Sequence, residues 1–399
     1  MLRELLKFIK KFIKVKINEK NINNFTIQYI SPLLGGASRI YNMAKHLAKK
    51  NKIILLCNDY KQVKSVETDC DEFYEFVSNP NIELYFVRAI GGRLSQIFNP
   101  SLILNGLKII KNKKPDIILA EFVWSGLHAL IFNILSKTPY ILDEHNVEFL
   151  RFERMKKGNK VTRLFLKIYE KLSCNFAQKV FCVSEVDKTY LSNILNIDKS
   201  KIIVVPNGID TDKFYPDIEK GYKIRKKLNI DYNDPIILFF GKLDYKPNLE
   251  AVELICHEIM PRVLKKLPNA KFLIVGDNPP LKFSHENIIF TGPVKNIEDY
   301  INASDVVICP LRSGGGTRIK ILEALACGKV IISTSIGAEG LTTSNNIIIR
   351  DKWDEFAKEI INVIIHSMEK GKNKNVNDVI DRYAWKNIVK IINHELLDT

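Results

Sequence analysis

The segment Asp305–Gly340, DVVICPLRSGGGTRIKILEALACGKVIISTSIGAEG, constrains the fold of this chain more than any other. Asp305–Cys309 is a short apolar run rich in β-branched residues, the pattern of a strand buried on both faces. Pro310 ends it, and Gly314, Gly315 and Gly316 follow in succession. Three glycines permit positive φ and let backbone N–H groups approach a ligand with no Cβ in the way. From Thr317 to Cys327 apolar residues recur at helical spacing (Ile319, Leu322, Leu325, Ala326), and Gly328 is placed as the C′ residue. Val330–Ser333 is the next strand, completing a β-α-β unit. A helix that starts on a glycine loop offers an anion free N–H groups and the positive end of its dipole. Arg318 and Lys320 add two cations in the first turn, where the dipole disfavours them, a cost that a bound diphosphate would offset. Glu323 lies on the same helix and can accept hydrogen bonds from ribose hydroxyls. The plain alternative is a surface helix with an ordinary loop and a solvated glutamate.

Composition narrows the setting. At 399 residues the chain is long enough for two domains, each with its own core. A hydrophobic fraction of 46% with 21 Phe and 14 Tyr excludes a disordered chain. Sixty Lys+Arg against 45 Asp+Glu give +15, which implies an anionic partner or surface, although scattered lysine also reflects compositional bias. Seven cysteines, odd in number and without a CxxC pair, read as buried free thiols of a reducing compartment. No apolar run reaches the length of a membrane span.

Residues 1–20, MLRELLKFIKKFIKVKINEK, form a basic amphipathic pattern with Leu2, Leu5, Leu6, Ile9, Phe12 and Ile13 on one helical face. Such a helix suits an anionic membrane interface, and a helix packed on the domain or a free tail is the alternative. Strands are expected at Thr26–Ile30, Ile53–Cys57, Ile82–Val87, Ile117–Ala120 and Tyr140–Leu142, with helices between several of them. The alternation indicates a parallel sheet covered on both faces. Gly35 and Gly36 precede an amphipathic helix without the GxGxxG spacing of a dinucleotide site. The strand at Tyr140–Leu142 delivers DEHNVE at its carboxyl end, where open α/β sheets place ligand groups, so His145 is a candidate. Arg151–Lys171 is lysine-rich, a loop and helix over the cleft mouth, and reads as a solvated face, with contact to a charged acceptor or to lipid head groups as the alternative. Pro206–Asp210 reads as a tight turn in which Asn-Gly supplies left-handed geometry. Further strands fit at Val180–Val183, Ile236–Phe240 and Ile347–Ile349, with closing helices at Asp354–Met368 and Val379–Leu397. The triplets Asp69–Asp71 and Asp210–Asp212 read as structural, so no metal is expected.

GGGTRIKILEALACGKVIISTSIGAEGL, together with the His145 and Pro206–Asp210 stretches, resembles the donor-binding and cleft segments of the large retaining glycosyltransferase family of GT-B fold, family four (glycosyl transferases group 1). The resemblance implies an α/β protein with two Rossmann-like doubly wound parallel-sheet domains facing a central cleft. The implied domains are residues 21–182, joined by a terminal helix at 379–397, and residues 183–378, which bind the nucleotide sugar. It implies metal-independent, retaining transfer from a nucleotide-diphosphate sugar, a co-substrate with no cofactor, to a glycan or lipid-linked acceptor of cell-surface polysaccharide or glycolipid synthesis. By this likeness His145 faces the donor sugar and is catalytic with Glu323, while Glu148 lies on the acceptor side. Lys242, Arg318 and Lys320 hold the diphosphate, and Glu323 holds the ribose. Gly315, Gly316 and Thr317 present backbone to the sugar. The loop at Val294 lies near the nucleobase, and Gly35 and Gly36 line the cleft. The chain departs from the family where a first glutamate is replaced by Gly315 and a second diphosphate lysine by Pro247, with Lys246 or Lys320 as substitutes. The expected place is the cytoplasm, with peripheral attachment to the inner face of the cell membrane through residues 1–20 left open and no nucleic-acid partner. Two rivals remain at this point: a sugar-nucleotide epimerase on the same fold, and a catalytically silent basic protein that binds membranes or polyanions.

Overall fold

The computed structural model describes residues 24–28, 35–58, 78–87, 97–280, 283–341, 346–370 and 376–397. The basic segment 1–20, Cys70 and the Asp69–Asp71 triplet lie outside these. Two parallel sheets carry the fold. The first holds β1 (Asn24–Gln28), β2 (Ile53–Asn58), β3 (Ile82–Val87), β4 (Ile117–Glu121), β5 (Tyr140–Glu144), β6 (Lys179–Cys182) and β7 (Ile202–Val204), in the order β3-β2-β1-β4-β5-β6-β7. The second holds β8 (Ile236–Phe240), β9 (Lys271–Val275), β10 (Ile288–Gly292), β11 (Val306–Cys309), β12 (Val330–Ser333) and β13 (Ile347–Ile349), in the order β10-β9-β8-β11-β12-β13. Strands β4, β5, β8, β11 and β12 are buried along their whole length, which explains their continuous apolar runs.

Each sheet reverses its winding once, between β1 and β4 in the first and between β8 and β11 in the second. Helices on either side of such a reversal diverge and leave a crevice at the carboxyl ends of the strands. The glycine loop follows β11, and Lys242 lies just beyond β8, so both flank the second crevice.

Four details depart from the sequence reading. Strands β4 and β5 run on to Glu121 and Glu144, because the ladder pairs Glu121 with Asp143 and Glu144 with Cys182. β7 pairs with β6, so the first sheet extends past the division expected after Cys182. The helix expected at 379–397 is two helices, Asn377–Tyr383 and Trp385–Leu397, broken at an extended Ala384 that bridges Ile209. Gly208 does not have a positive φ; instead, a Cβ there would collide with the indole of Trp385. Trp385, Ile388, Val389 and Ile392 share a core with Met43, Ala44 and Leu47, so the terminal helix packs on the first domain beside helix Gly35–Leu47.

Candidate active site

On the first sheet, the site begins with a buried ion pair. Arg39, on helix Gly35–Leu47, is fully buried and donates from Nε and Nη2 to the two oxygens of Asp143, at 2.8 and 2.9 Å. Its Nη1 donates to the carbonyl of Pro206 and to Oδ1 of Asn207. A bidentate guanidinium with every branch engaged makes this buried pair tolerable. Burial opposes the ionised carboxyl of Asp143, but the charges and hydrogen bonds of Arg39 and His145 together outweigh it and hold the group below the usual carboxylate range.

His145 follows directly after β5. Its Nε2 lies 2.7 Å from Oε2 of Glu121 and 3.4 Å from Oδ2 of Asp143, while buried Nδ1 has no hydrogen-bond partner among the described residues. Burial pulls the imidazole pKa down, and the hydrogen bonds and charges of the two carboxylates more than reverse it, so it is raised. Burial and the charge of Asp143 push Glu121 up to about 7. Both members of the pair therefore hold a proton more readily than they would in water. The ring of Phe122 lies 3.9 Å from that of His145, held there by a positive φ of 61° at Phe122, a conformation rare outside glycine. Glu121, Asp143 and His145 bring their ligand atoms within 4.8 Å of one another, close enough for a metal ion in distance alone. The chemistry of the set argues otherwise, since Arg39 occupies both oxygens of Asp143 and brings a cation to the place a metal would take.

On the second sheet, Gly314 and Gly316 adopt φ of 125° and 67°, as the loop requires, whereas Gly315 does not need a positive φ. Arg318 folds back beneath the loop and donates to the carbonyls of Gly315 and Gly316. Lys320 sits beside β8: its Nζ donates to Oδ1 of Asn248 at 3.1 Å and lies 4.5 Å from the centre of the Phe239 ring. A Cβ at Gly241 would come within 2.8 Å of that ammonium, so the glycine makes room for it. Neither cation forms an ion pair with a carboxylate among the described residues, and burial lowers the pKa of both. Two half-buried cations left without a counter-ion mark a place for an anion. The carboxyl of Glu323, one turn along, makes no hydrogen bond among the described residues, and burial pushes it up to about 7 against the opposing charges of Lys213 and Lys320.

The two halves meet directly. Asn207 Nδ2 donates to Oγ1 of Thr317 at 2.7 Å, and a Cβ at Gly316 would lie 2.7 Å from the carbonyl oxygen of His145. Arg154 and Glu339 form a further bridge, at 2.5 and 2.7 Å.

His145, Gly315, Gly316, Thr317, Arg318, Lys320 and Glu323 thus gather around one cleft. Other expected residues sit differently. Lys242 is paired with Asp244 at 3.6 Å, and the cation beside Gly241 is Lys320. Lys246 is exposed and faces Glu250, and Pro247 opens the helix Lys246–Leu254. Glu148 is buried and engaged by Arg151 at 2.6 Å, so its carboxylate is not an open acceptor contact. Gly35 and Gly36 form the first turn of their helix rather than a loop before it. Val294 lies after edge strand β10, partly buried on the core of the second domain. Arg39, Glu121, Asp143 and Asn207 were not singled out by sequence. A charged residue on a helix face otherwise occupied by Ile40 and Met43, and acids ending two apolar strands, were the signals available.

Catalytic clefts built between the carboxyl ends of two Rossmann-like sheets define the GT-B class of glycosyltransferases. A model of Glycosyltransferase Family 4 matches residues 34–213, and one of glycosyl transferases group 1 matches residues 234–366. The chain belongs to this family. It is 24% identical over 380 residues to the UDP-Gal:alpha-D-GlcNAc-diphosphoundecaprenol alpha-1,3-galactosyltransferase of Escherichia coli, covering 91% of this chain and 92% of that one. It is 25% identical over 344 residues to the alpha-monoglucosyldiacylglycerol synthase of Streptococcus pneumoniae, covering 82% and 73%. Among solved structures, Alr3699/HepE of Anabaena in complex with UDP-glucose shares the fold with a TM-score of 0.74 at 16% identity, over 95% of this chain and 100% of that one.

Proposed function

We propose that this glycosyltransferase moves a sugar from a uridine-diphosphate donor to a lipid-linked acceptor, with retention of anomeric configuration and without a metal ion. The observation that carries the donor reading is the pair Arg318 and Lys320, two half-buried cations without a carboxylate partner among the described residues, at the crevice where the second sheet reverses. They meet the diphosphate charge in place of a metal. Glu323 accepts from the ribose hydroxyls. The nucleobase reading draws on the UDP-sugar named for the relative and for the structural neighbour, and the acceptor reading on the lipid-linked substrate named for the galactosyltransferase.

In the reaction, the bond between C1 of the sugar and the diphosphate oxygen breaks while the acceptor hydroxyl bonds C1 on the same face. The hydroxyl proton passes to the departing diphosphate. The chain's share is positioning and charge: Arg318 and Lys320 stabilise the leaving group, and His145, held by Glu121 through Nε2, offers Nδ1–H to a sugar hydroxyl. Contact between Gly316 and the His145 backbone closes the cleft and excludes water, which suppresses donor hydrolysis.

A thermal-shift screen against UDP, GDP and ADP and their sugar conjugates, in chelator, tests the reading. The expected result is stabilisation by UDP compounds, lost in Arg318→Ala and Glu323→Ala, with transfer in Arg318→Ala down about a hundredfold. Absence of any nucleotide effect would sink the donor site. Conversion of the donor sugar without acceptor would point to an epimerase.

A further inference from the structure

Helix Lys160–Phe176 has three faces, and one of them is uncovered. Its inner face buries Leu166, Glu170, Ser173 and Cys174. A second stripe, Val161, Leu164, Phe165, Ile168, Leu172 and Phe176, is apolar and 49% to 74% exposed. At 3.6 residues per turn these six fall within an arc of about 120°. Lys160, Arg163, Lys167 and Lys171 occupy the adjoining arc of about 80°. The helix's single acid, Glu170, points inward. A continuous apolar stripe of this length on an exposed helix marks an interaction surface rather than the solvated face its lysines suggest in sequence.

We infer that this helix docks on an anionic lipid bilayer, with the apolar stripe in the interface and the cation row on the head groups. The charge pattern selects this occupant. A bilayer supplies apolar depth bordered by anions, which matches an apolar stripe bordered by cations. A second copy of the same face would set cation row against cation row. Residues 1–20 of the same chain carry seven Lys and Arg against two Glu, so they too are repelled from it.

The inner face joins this surface to the candidate active site. Both oxygens of Glu170 accept backbone N–H bonds, from Glu148 at 2.6 Å and Phe149 at 2.8 Å, at the start of the helix that follows His145. The Cys174 thiol points to Glu144 at the end of β5. A docked helix therefore holds the His145 loop close to the lipid surface, where the head group of a lipid-linked acceptor lies. That last step rests on the acceptor proposed above; the docking itself does not.

Co-sedimentation of the full chain with phosphatidylcholine vesicles, with and without phosphatidylglycerol and without donor, tests the docking. Binding is expected only to the anionic vesicles and weakens with salt. Phe165→Ser with Ile168→Ser, and separately Lys160→Glu with Arg163→Glu, each lower it by about tenfold or more. These side chains are on the surface, so melting temperature and transfer to a water-soluble acceptor stay at the parent values. Parent-level vesicle binding in both double variants would overturn the inference. So would a dimer in sedimentation velocity that Phe165→Ser with Ile168→Ser dissolves, since a second copy would then cover the stripe. Because donor is absent, a failure here leaves the donor site standing, and failure of the donor site leaves vesicle binding intact.

Discussion

Asn207 Nδ2 donates to Oγ1 of Thr317 at 2.7 Å, a buried bond that ties the turn after the first sheet to the glycine loop of the second. The same Asn207 accepts from Arg39, so the bond connects the buried ion pair on one side to the anion site on the other. Asn207→Ala removes a cross-cleft bond and leaves Thr317 to find another partner. The expected cost is about 1–2 kcal/mol in urea denaturation, and a larger loss in kcat than in donor affinity, because closure is what the bond favours. An unchanged kcat would separate the bond from closure.

The Arg39–Asp143 pair sets a second expectation. Arg39→Ala leaves a buried carboxylate next to Glu121 and costs about 3–5 kcal/mol. The sign of the pH response also changes. In the parent the Asp143 pKa is depressed, so its stabilisation is present above the unfolded value of about 3.9 and is lost as pH falls through the lower folded value. Without Arg39, burial and Glu121 raise the Asp143 pKa, so the variant gains relative stability as pH falls. Denaturation curves across acid pH check this, and a constant difference between the two proteins would contradict it.

Donor binding should depend on pH through Glu323. Its pKa of about 7 means that it ionises across the neutral range. The ionised form accepts two hydroxyl donors, so affinity for UDP should rise by up to about tenfold between roughly pH 6 and 8. Binding would release a proton. Calorimetry in buffers of different ionisation enthalpy reads that proton directly, and Glu323→Gln should lose both the release and the pH slope.

The glycine loop separates two substitutions one residue apart. Gly315 does not have a positive φ, and the atoms nearest to a Cβ there are those of the Arg151 stem, at 3.2–3.5 Å. Gly315→Glu, which restores the family's usual residue, should fold within about 1 kcal/mol of the parent and place a carboxylate beside Arg151. Its effect should appear as altered preference among UDP-sugars. Gly316→Ala forces a positive φ of 67° on alanine and drives a Cβ toward the His145 carbonyl, so it should open the cleft and lower transfer by at least about tenfold. Equal transfer rates in the two variants would refute the distinction.

Glu170 is expected to make the parent lose stability as pH rises from the acid range through neutrality. Burial pushes its pKa up to about 8, partly offset by the two N–H bonds that it accepts. The folded state therefore holds the proton more tightly than the unfolded one, and this contribution is lost as pH rises from the unfolded value of about 4.3 through about 8. Glu170→Gln keeps one acceptor, should cost about 1 kcal/mol at mildly acid pH, and should flatten the decline between roughly pH 4 and 8. A decline of the same slope in both proteins would assign it elsewhere.

Much of the donor side was legible because its signals are local. The glycine run, the cations Arg318 and Lys320 and Glu323 lie on one short β-α-β unit, where backbone geometry fixes their relation. The first-domain cluster was legible only at His145. Its partners Arg39 and Glu121 come from elements separated from it by 106 and 24 residues in the sequence, and only the strand order β1-β4-β5 brings them together. The lysine-rich stretch after Arg154 shows the same limit. Its charges dominate the sequence, while the exposure of Phe165 and Ile168 depends on which face of the helix the sheet covers.

By itself the sequence determined the parallel α/β class, because unbroken β-branched runs such as Val306–Cys309 are stable only when covered on both faces, and it determined the glycine loop, because only glycine tolerates φ of 125° and 67° without strain. The tertiary structure decided which charges are paired. Lys242 and Glu148, expected at the diphosphate and on the acceptor side, are matched by a carboxylate and a guanidinium, as is Arg39, which the sequence did not mark, whereas among the described residues Arg318 and Lys320 have no carboxylate partner. Charge pairing is a matter of distance across the fold, which spacing along the chain does not encode.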